Sequence, residues 1–161
     1  MSIQIVPLPA DYLRRVREEG LDDLGQPVRR VTAEGGEPCR DVLRRAQPGE
    51  ELILASFSPY VKPGPYHEYG PIFVLAHAAE IAVPLDALPL YPDQPDSYLR
   101  NRFVVRAYTE AESIADAELV TSETAEAQIA AYLARPDIAF VQARFPTYGC
   151  FACRIERGEY E

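Results

Sequence analysis

Runs of apolar residues along the chain predict most of its strands. Residues 52–57 are apolar on both alternating sets, a pattern typical of a central strand that is covered on both faces. Residues 72–76 predict a further strand, and the segment between these two strands is too rich in proline to pair in a sheet. Residues 103–108 and 114–120 flank a short polar loop, which predicts a β-hairpin.

A second hairpin is predicted near the end of the chain, and it contains a Cys-x-x-Cys motif. Residues 138–145 and 150–156 are rich in β-branched and aromatic side chains, and Pro146 and Gly149 lie between them as turn residues. The motif begins directly after this turn. We therefore expect both of its cysteines on a strand rather than at the start of a helix.

The spacing of Cys150 and Cys153 favours ordinary sheet residues. Side chains alternate along a regular strand, so these two thiols would point to opposite faces, with Cys153 beside Phe151 and Ile155. A redox motif needs a helix here and a zinc site needs a second pair of ligands, and the sequence supplies neither. A metal or redox role and a disulfide remain alternatives. We expect Cys153 to be buried and inert, and Cys150 to be the more reactive thiol.

Residues 122–134 carry the strongest helical pattern in the chain, and Ser122 is its expected N-cap. Five alanines in this segment suit close packing of the helix against a sheet. The following strand has Ala139 and Ala143 on one face. We expect the helix to cover that face.

Strands in consecutive hairpins with few helices indicate the α+β class, with a mainly antiparallel sheet packed against a few helices. Residues 3–6 predict a short strand, and a helix that ends before Gly20 follows it. These elements would form a short N-terminal extension within residues 1–36. We expect residues 1–161 to form a single globular domain, because a chain of 161 residues can bury a sufficient core without a disulfide or a metal.

The charge balance limits the classes of partner. The chain has 16 basic and 25 acidic residues and a formal net charge of −9, which argues against a nucleic acid or a membrane surface as partner. Three cysteines, an odd number, and an N-terminus without a leader pattern are typical of a cytoplasmic protein. The signatures of phosphate loops and dinucleotide-binding folds are missing, so we expect no cofactor and no metal.

Three short motifs stand out along the chain. They are Pro38-Cys39-Arg40, Gly70-Pro71-Ile72-Phe73 and Tyr148-Gly149-Cys150-Phe151. Together they resemble the successive blocks of a bacterial family catalogued as domain of unknown function 1203, and the resemblance extends from about Cys39 to Arg157. It implies membership of that family but no activity, because the family has no assigned one.

Two functional classes remain open. The favoured one is a non-catalytic binding or oligomerising module, because the aromatic, proline-rich residues 59–71 and the proline-rich residues 84–95 could present a rigid surface. Its partner would be a second copy of the chain or another protein. The alternative is a small-molecule site or an enzyme, in which arginines hold a carboxylate or phosphate and a thiolate or histidine supplies chemistry.

Each candidate residue for such an anion site has a polar or nucleophilic side chain and lies in or near one of the family motifs. They are Cys39, Arg40, Tyr66, His67, Arg144, Tyr148 and Cys150. The strand arginines have a second interpretation, in which Arg106, Arg144 and Arg154 are exposed charges that protect strand edges from pairing with other chains.

Overall fold

The computed structural model describes residues 2–159, and its strands form two five-stranded sheets. The strands are β1 (Ile3–Val6), β2 (Arg29–Thr32), β3 (Pro38–Cys39), β4 (Arg44–Arg45), β5 (Glu51–Phe57), β6 (Gly70–Leu75), β7 (Arg102–Tyr108), β8 (Ile114–Thr121), β9 (Phe140–Arg144) and β10 (Phe151–Arg157). The helices are α1 (Ala10–Arg14), which continues as a π-helical segment Arg15–Glu19, and α2 (Ala125–Leu133).

The strands divide into two sheets, whereas the sequence predicted one. Sheet 1 has the order β1-β10-β9-β7-β8, and sheet 2 has the order β2-β5-β6-β3-β4. The long connection between β6 and β7, which contains neither strand nor helix, separates the two sets of hairpins along the chain. The prediction of a mainly antiparallel arrangement is confirmed, because β3 and β6 are the one parallel pair in the described part of the chain.

The two faces of sheet 1 have different compositions. One face is apolar and lies in the same core cluster as α2, with Phe103 and Ala143 from the sheet and Ile129 and Leu133 from the helix. By alternation, the other face carries polar side chains from the three internal strands. These side chains are Arg102, Arg106, Gln142, Arg144 and Arg154.

The interpretation of the strand arginines as edge protection is wrong. Strands β7, β9 and β10 are all internal to sheet 1, and its edges are β1 and β8. Cross-strand pairing places Arg106 opposite Gln142, and Gln142 opposite Arg154. Arg144 is almost fully buried. The arginines therefore lie on internal strands of sheet 1 rather than at its edges.

Helix α2 begins later than the sequence predicted. Residue Thr124 precedes its first turn, and no side chain caps it, so Ser122 is not the N-cap. A tight turn occupies this position instead, in which the backbone N–H of Thr121 donates to the Thr124 hydroxyl at 2.9 Å. Ala143 packs in the α2 cluster as expected, whereas Ala139 packs with the tyrosine cluster around Tyr108.

Sheet 2 is covered by the N-terminal helix on one face. Strand β5 is internal and largely buried, which confirms its prediction as a central strand. Tyr12 of α1 packs against Phe57 with ring centroids 4.9 Å apart, and its hydroxyl donates to the carbonyl of Ser56 at 3.0 Å. Strand β1 pairs with β10 and strand β2 pairs with β5, so the N-terminal segment contributes a strand to each sheet.

The β9–β10 hairpin is present, but its second strand is irregular. Gly149 adopts a left-handed conformation with φ of 74°, which closes the turn and which a side chain would strain. The register shifts between Phe151 and Cys153. Phe151 packs on sheet 2 beside Phe57, while Cys153 lies in the α2 core, which Cys150 also contacts. The expected strict alternation from Cys150 to Ile155 is therefore wrong.

None of the helices within residues 2–159 is long and apolar enough to cross a membrane.

Candidate functional site

A cavity of about 720 Å³ opens between the two sheets, beside the turn that joins β9 and β10. Both sheets contribute to its walls, together with residues 145–148 and Cys150 from the turn region. The apolar part of the wall consists of Leu54, Phe73 and Phe145. The volume is within the range of roughly 300–1,000 Å³ that is usual for small-molecule sites. Four arginines also line the cavity, namely Arg40, Arg45, Arg100 and Arg102.

Arg40 is buried in the wall and fixed in position. Its side chain lies 5.1 Å from the Phe145 ring centroid, and Nε donates to the carbonyl of Phe151 at 2.9 Å. Nη1 donates to the carbonyl of Pro38 at 2.7 Å. Burial lowers the pKa of Arg40, because desolvation disfavours its charged form. The guanidinium is a cation nonetheless, since arginine side chains keep their charge in proteins.

Arg45 also contacts the Phe145 ring, with its Cζ atom 5.4 Å from the centroid. Its three nitrogens donate to backbone carbonyls, at 2.8 Å to Gly36, 3.0 Å to Ser97 and 3.1 Å to Tyr98. Burial, followed by the nearby positive charge of Arg100, lowers the pKa of Arg45. The arginines in this cavity therefore repel one another.

Arg100 and Arg102 contribute exposed side chains to the cavity. Among residues 2–159, no carboxylate lies within 4.0 Å of any of the cavity's arginine nitrogens, although the chain as a whole is acidic. Two carboxylates, Glu34 and Glu37, also line the cavity. Both oxygens of Glu37 accept backbone N–H groups, from Glu34 and Gly35 at 2.8 Å each, so that carboxylate is already satisfied.

A smaller cavity of about 230 Å³ is lined by Arg106 and Arg144. Arg144 has a side chain only 7% exposed, and it forms an ion pair of 2.9 Å with Glu68, which is 53% exposed. Pro71, Tyr148 and Cys150 line both cavities, so the β9–β10 turn separates them. The side chain of Tyr148 is 89% exposed.

A buried polar network holds Arg144 in place. Its guanidinium donates to the Gln142 side-chain oxygen from Nε at 3.2 Å and from Nη2 at 3.1 Å, and to the Tyr60 hydroxyl at 3.0 Å. The hydroxyls of Tyr60 and Tyr108 are 2.6 Å apart. Burial raises the pKa of Tyr60 far above its ordinary value, so this hydroxyl stays neutral. The network therefore contributes no negative charge to balance the arginines.

The predicted candidate residues fall into two groups. Arg40, Arg144, Tyr148 and Cys150 line the cavities. The remaining three lie elsewhere. Cys39 is fully buried in the core under sheet 2, Tyr66 is an exposed loop residue, and His67 is held in the same loop by the carbonyl of Lys62 at 3.0 Å. Burial raises the pKa of Cys39 to about 12.

Sequence reasoning missed most of the cavity residues. Arg45, Arg100 and Arg102 were not singled out, and neither were Glu68 and Gln142. A signal for some of them was present, because Arg102 and Arg106 lie four positions apart in β7, and Gln142 and Arg144 lie two positions apart in β9. Each pair therefore shares one face of its strand, which indicates a partly polar sheet face.

The structure assigns different environments to the three thiols. Cys39 and Cys153 are buried, whereas Cys150 is half-buried at the cavities, and all three are free. Burial raises the pKa of Cys153 to about 12 as well. Within residues 2–159 no group of three or more His, Cys, Asp or Glu side chains is placed to hold a metal ion.

We expect iodoacetamide to alkylate Cys150 in the native protein and to leave Cys39 and Cys153 unmodified. At mildly alkaline pH the two buried thiols remain protonated and inaccessible, because their pKa values are about 12. Peptide mass mapping measures the labelled fraction at each position. In urea all three should react. Native labelling of Cys153 as fast as that of Cys150 would contradict the prediction.

Taken together, these features define a mostly β-stranded protein, with two sheets and two helices in residues 2–159 and with arginine-lined cavities between and beside the sheets. The chain belongs to the family described as "Protein of unknown function (DUF1203)", which matches residues 36–157. The resemblance seen in the sequence motifs is thereby confirmed. The matched segment includes every arginine that lines the two cavities. No curated protein and no solved structure matches the chain.

Proposed function

We propose that this protein is a binding module for a small organic anion, which it holds in the 720 Å³ cavity. A carboxylate or phosphate group of the ligand is bound by the arginines, and an apolar group packs against Leu54, Phe73 and Phe145. One observation carries the proposal. Four guanidinium groups without a carboxylate partner among residues 2–159 line one cavity of a protein whose net charge is −9.

The energetics of the arginines support an anionic ligand. Burying a cation is costly unless an opposite charge compensates it, and Arg40 and Arg45 have backbone carbonyls as partners instead. Arg100 and Arg102 have no hydrogen bond to another side chain or to the backbone within the described residues, so their donors are available. An anion in the cavity would relieve the mutual repulsion of all four.

Binding rather than catalysis is proposed because of what surrounds the thiol at the cavity. The Sγ atom of Cys150 has a single hydrogen bond in the described chain, to the carbonyl of Tyr148 at 3.9 Å. Neither of the two cavities has a histidine in its walls. A nucleophilic thiol ordinarily needs such a base within hydrogen-bonding reach.

Benzoate and its neutral analogue benzamide test the proposal. Amide NMR titrations should show that benzoate shifts signals of Gly36, Phe73, Phe145, Thr147 and Tyr148, and that benzamide binds much more weakly. Replacing the exposed Arg102 with glutamine should weaken benzoate binding by about tenfold, because a charge-assisted hydrogen bond contributes about 1.5–3 kcal/mol. The variant should retain the stability of the parent protein, since the Arg102 side chain forms no hydrogen bond or ion pair with other groups of residues 2–159.

Arg29→Gln is the matched control. Arg29 is exposed on the edge strand β2 and lines neither of the two cavities, so its removal changes the net charge equally. Benzoate binding to this variant should equal binding to the parent. Equal affinities for benzoate and benzamide, or equal effects of Arg29→Gln and Arg102→Gln, would overturn the proposed anion site.

A further inference from the structure

We propose that the smaller cavity is a second, independent anion site, which binds a single small oxyanion between Arg106 and Arg144. When no ligand is bound, the Glu68 carboxylate occupies the position of the anion. The ligand is a phosphate or carboxylate group without a large apolar part. A volume of about 230 Å³ fits such a group with a few water molecules but is small for the organic anion proposed above.

Arg144 is organised in advance for an anion. Its guanidinium is fixed by three hydrogen-bond acceptors. These are the Gln142 side chain, the Tyr60 hydroxyl and the carbonyl of Gly149, which lies at 3.0 Å. Its orientation therefore does not depend on Glu68. The side chain is only 7% exposed, so its attraction for an anion is screened less by water than at the surface.

The cavity contains more positive than negative charge. Arg106 and Arg144 are both cationic, and Glu68 is the one carboxylate that residues 2–159 contribute to the wall. Arg106 forms no ion pair among residues 2–159, and its guanidinium donates to the Tyr108 hydroxyl at 3.4 Å. One positive charge is therefore left without a counter-ion. The Glu68 carboxylate pairs with Arg144 and not with Arg106. A free oxyanion with more than one acceptor oxygen could bind both guanidinium groups.

Glu68 can leave Arg144 at low cost. It lies in the loop between β5 and β6, and 53% of its side chain is exposed, so water can hydrate the carboxylate when an incoming anion displaces it. The beginning of this loop is anchored separately, because the backbone N–H of Val61 donates to Glu112 at 3.1 Å. Displacement of Glu68 therefore need not move the whole loop.

The test uses inorganic phosphate and acetate at constant ionic strength, with chloride as the balancing ion. Glu68→Gln removes the internal competitor, so the affinity for phosphate should rise about three- to tenfold over the parent. Amide signals of Tyr69, Gly70 and Gly149 should report the binding. In chloride the same variant should have a lower melting temperature than the parent. In phosphate its melting temperature should return to the parent's value, since the anion replaces the missing carboxylate. Comparing phosphate with acetate shows whether a tetrahedral or a planar oxyanion is preferred.

Two control variants separate this site from general salt effects. Phosphate stabilises many proteins through exclusion from their surface, so Glu18→Gln, an exposed carboxylate outside both cavities, measures that background. Adding Arg106→Gln to Glu68→Gln should abolish the phosphate-dependent signal shifts. The proposal is overturned if Glu68→Gln and Glu18→Gln respond equally to phosphate, or if Arg106→Gln leaves the shifts unchanged. Benzoate binding to the larger cavity is unaffected by either result, so the two proposals fail separately.

Discussion

Replacing Arg144 with methionine should lower the free energy of unfolding by about 3 kcal/mol. The guanidinium donates to Gln142, to Tyr60 and to the carbonyl of Gly149 at distances of 3.0 to 3.2 Å. Methionine fills a similar volume but donates no hydrogen bond, so these acceptors lose a partner inside the protein. Glu68 also loses its partner, but water can solvate it because it is 53% exposed. Urea denaturation of parent and variant measures the difference.

Arg154→Met is the matched control for this prediction. Arg154 lies on the same face of sheet 1, stacks 3.7 Å from the Phe140 centroid and pairs with the partly exposed Glu156 at 2.7 Å. Its removal leaves no buried acceptor without a partner, so we expect a loss of about 1 kcal/mol or less. If the two variants lost equal stability, the buried network around Arg144 would contribute no more than a surface ion pair.

Local patterns were sufficient to predict the longer strands but not the two-residue strands β3 and β4. Strand β1 has the predicted limits, and the hairpin of β7 and β8 pairs as expected. Both depend on neighbouring residues in the chain, whose alternation is visible in the sequence. The helix boundary at Ser122 was wrong because a competing turn around Thr124 satisfies the local backbone donors.

The division into two sheets could not be predicted in the same way. It depends on pairs that are distant in sequence, such as β1 with β10 and the parallel contact between Cys39 and Phe73. No local pattern encodes these partners. The irregular register at Phe151 is a further example, since its ring packs on sheet 2 while the next residues pack in sheet 1.

The candidate site was predicted in part, and the reason is geometric. Arg40 and Cys39 are adjacent in sequence, but Arg40 faces the cavity and Cys39 faces the core under sheet 2. Grouping residues by their motif therefore combined side chains that point in different directions. Arg102 comes from a strand that carried none of the family motifs, and only the folded arrangement of both sheets brings it close to Arg40.

Replacing Phe145 with alanine should lower the free energy of unfolding by about 3 kcal/mol and weaken benzoate binding by about tenfold. The ring is nearly buried and packs edge-on against Tyr98, with centroids 5.4 Å apart. Arg40 and Arg45 also contact the ring, with their Cζ atoms 5.1 Å and 5.4 Å from the centroid. This loss is at the low end of the range for Phe→Ala substitutions in protein cores, because one side of the ring already borders a cavity. Urea denaturation and NMR titration measure the two effects.

Phe145→Leu separates packing from the aromatic contacts. Leucine retains most of the apolar volume, so its stability loss should stay below about 1.5 kcal/mol. It lacks the π face that attracts the guanidinium groups, so Arg40 and Arg45 lose an interaction of about 0.5–1 kcal/mol each. Benzoate affinity should then lie between that of the parent and that of Phe145→Ala. A fully stable Phe145→Ala variant with unchanged benzoate affinity would show that this ring supports neither the core nor the anion site.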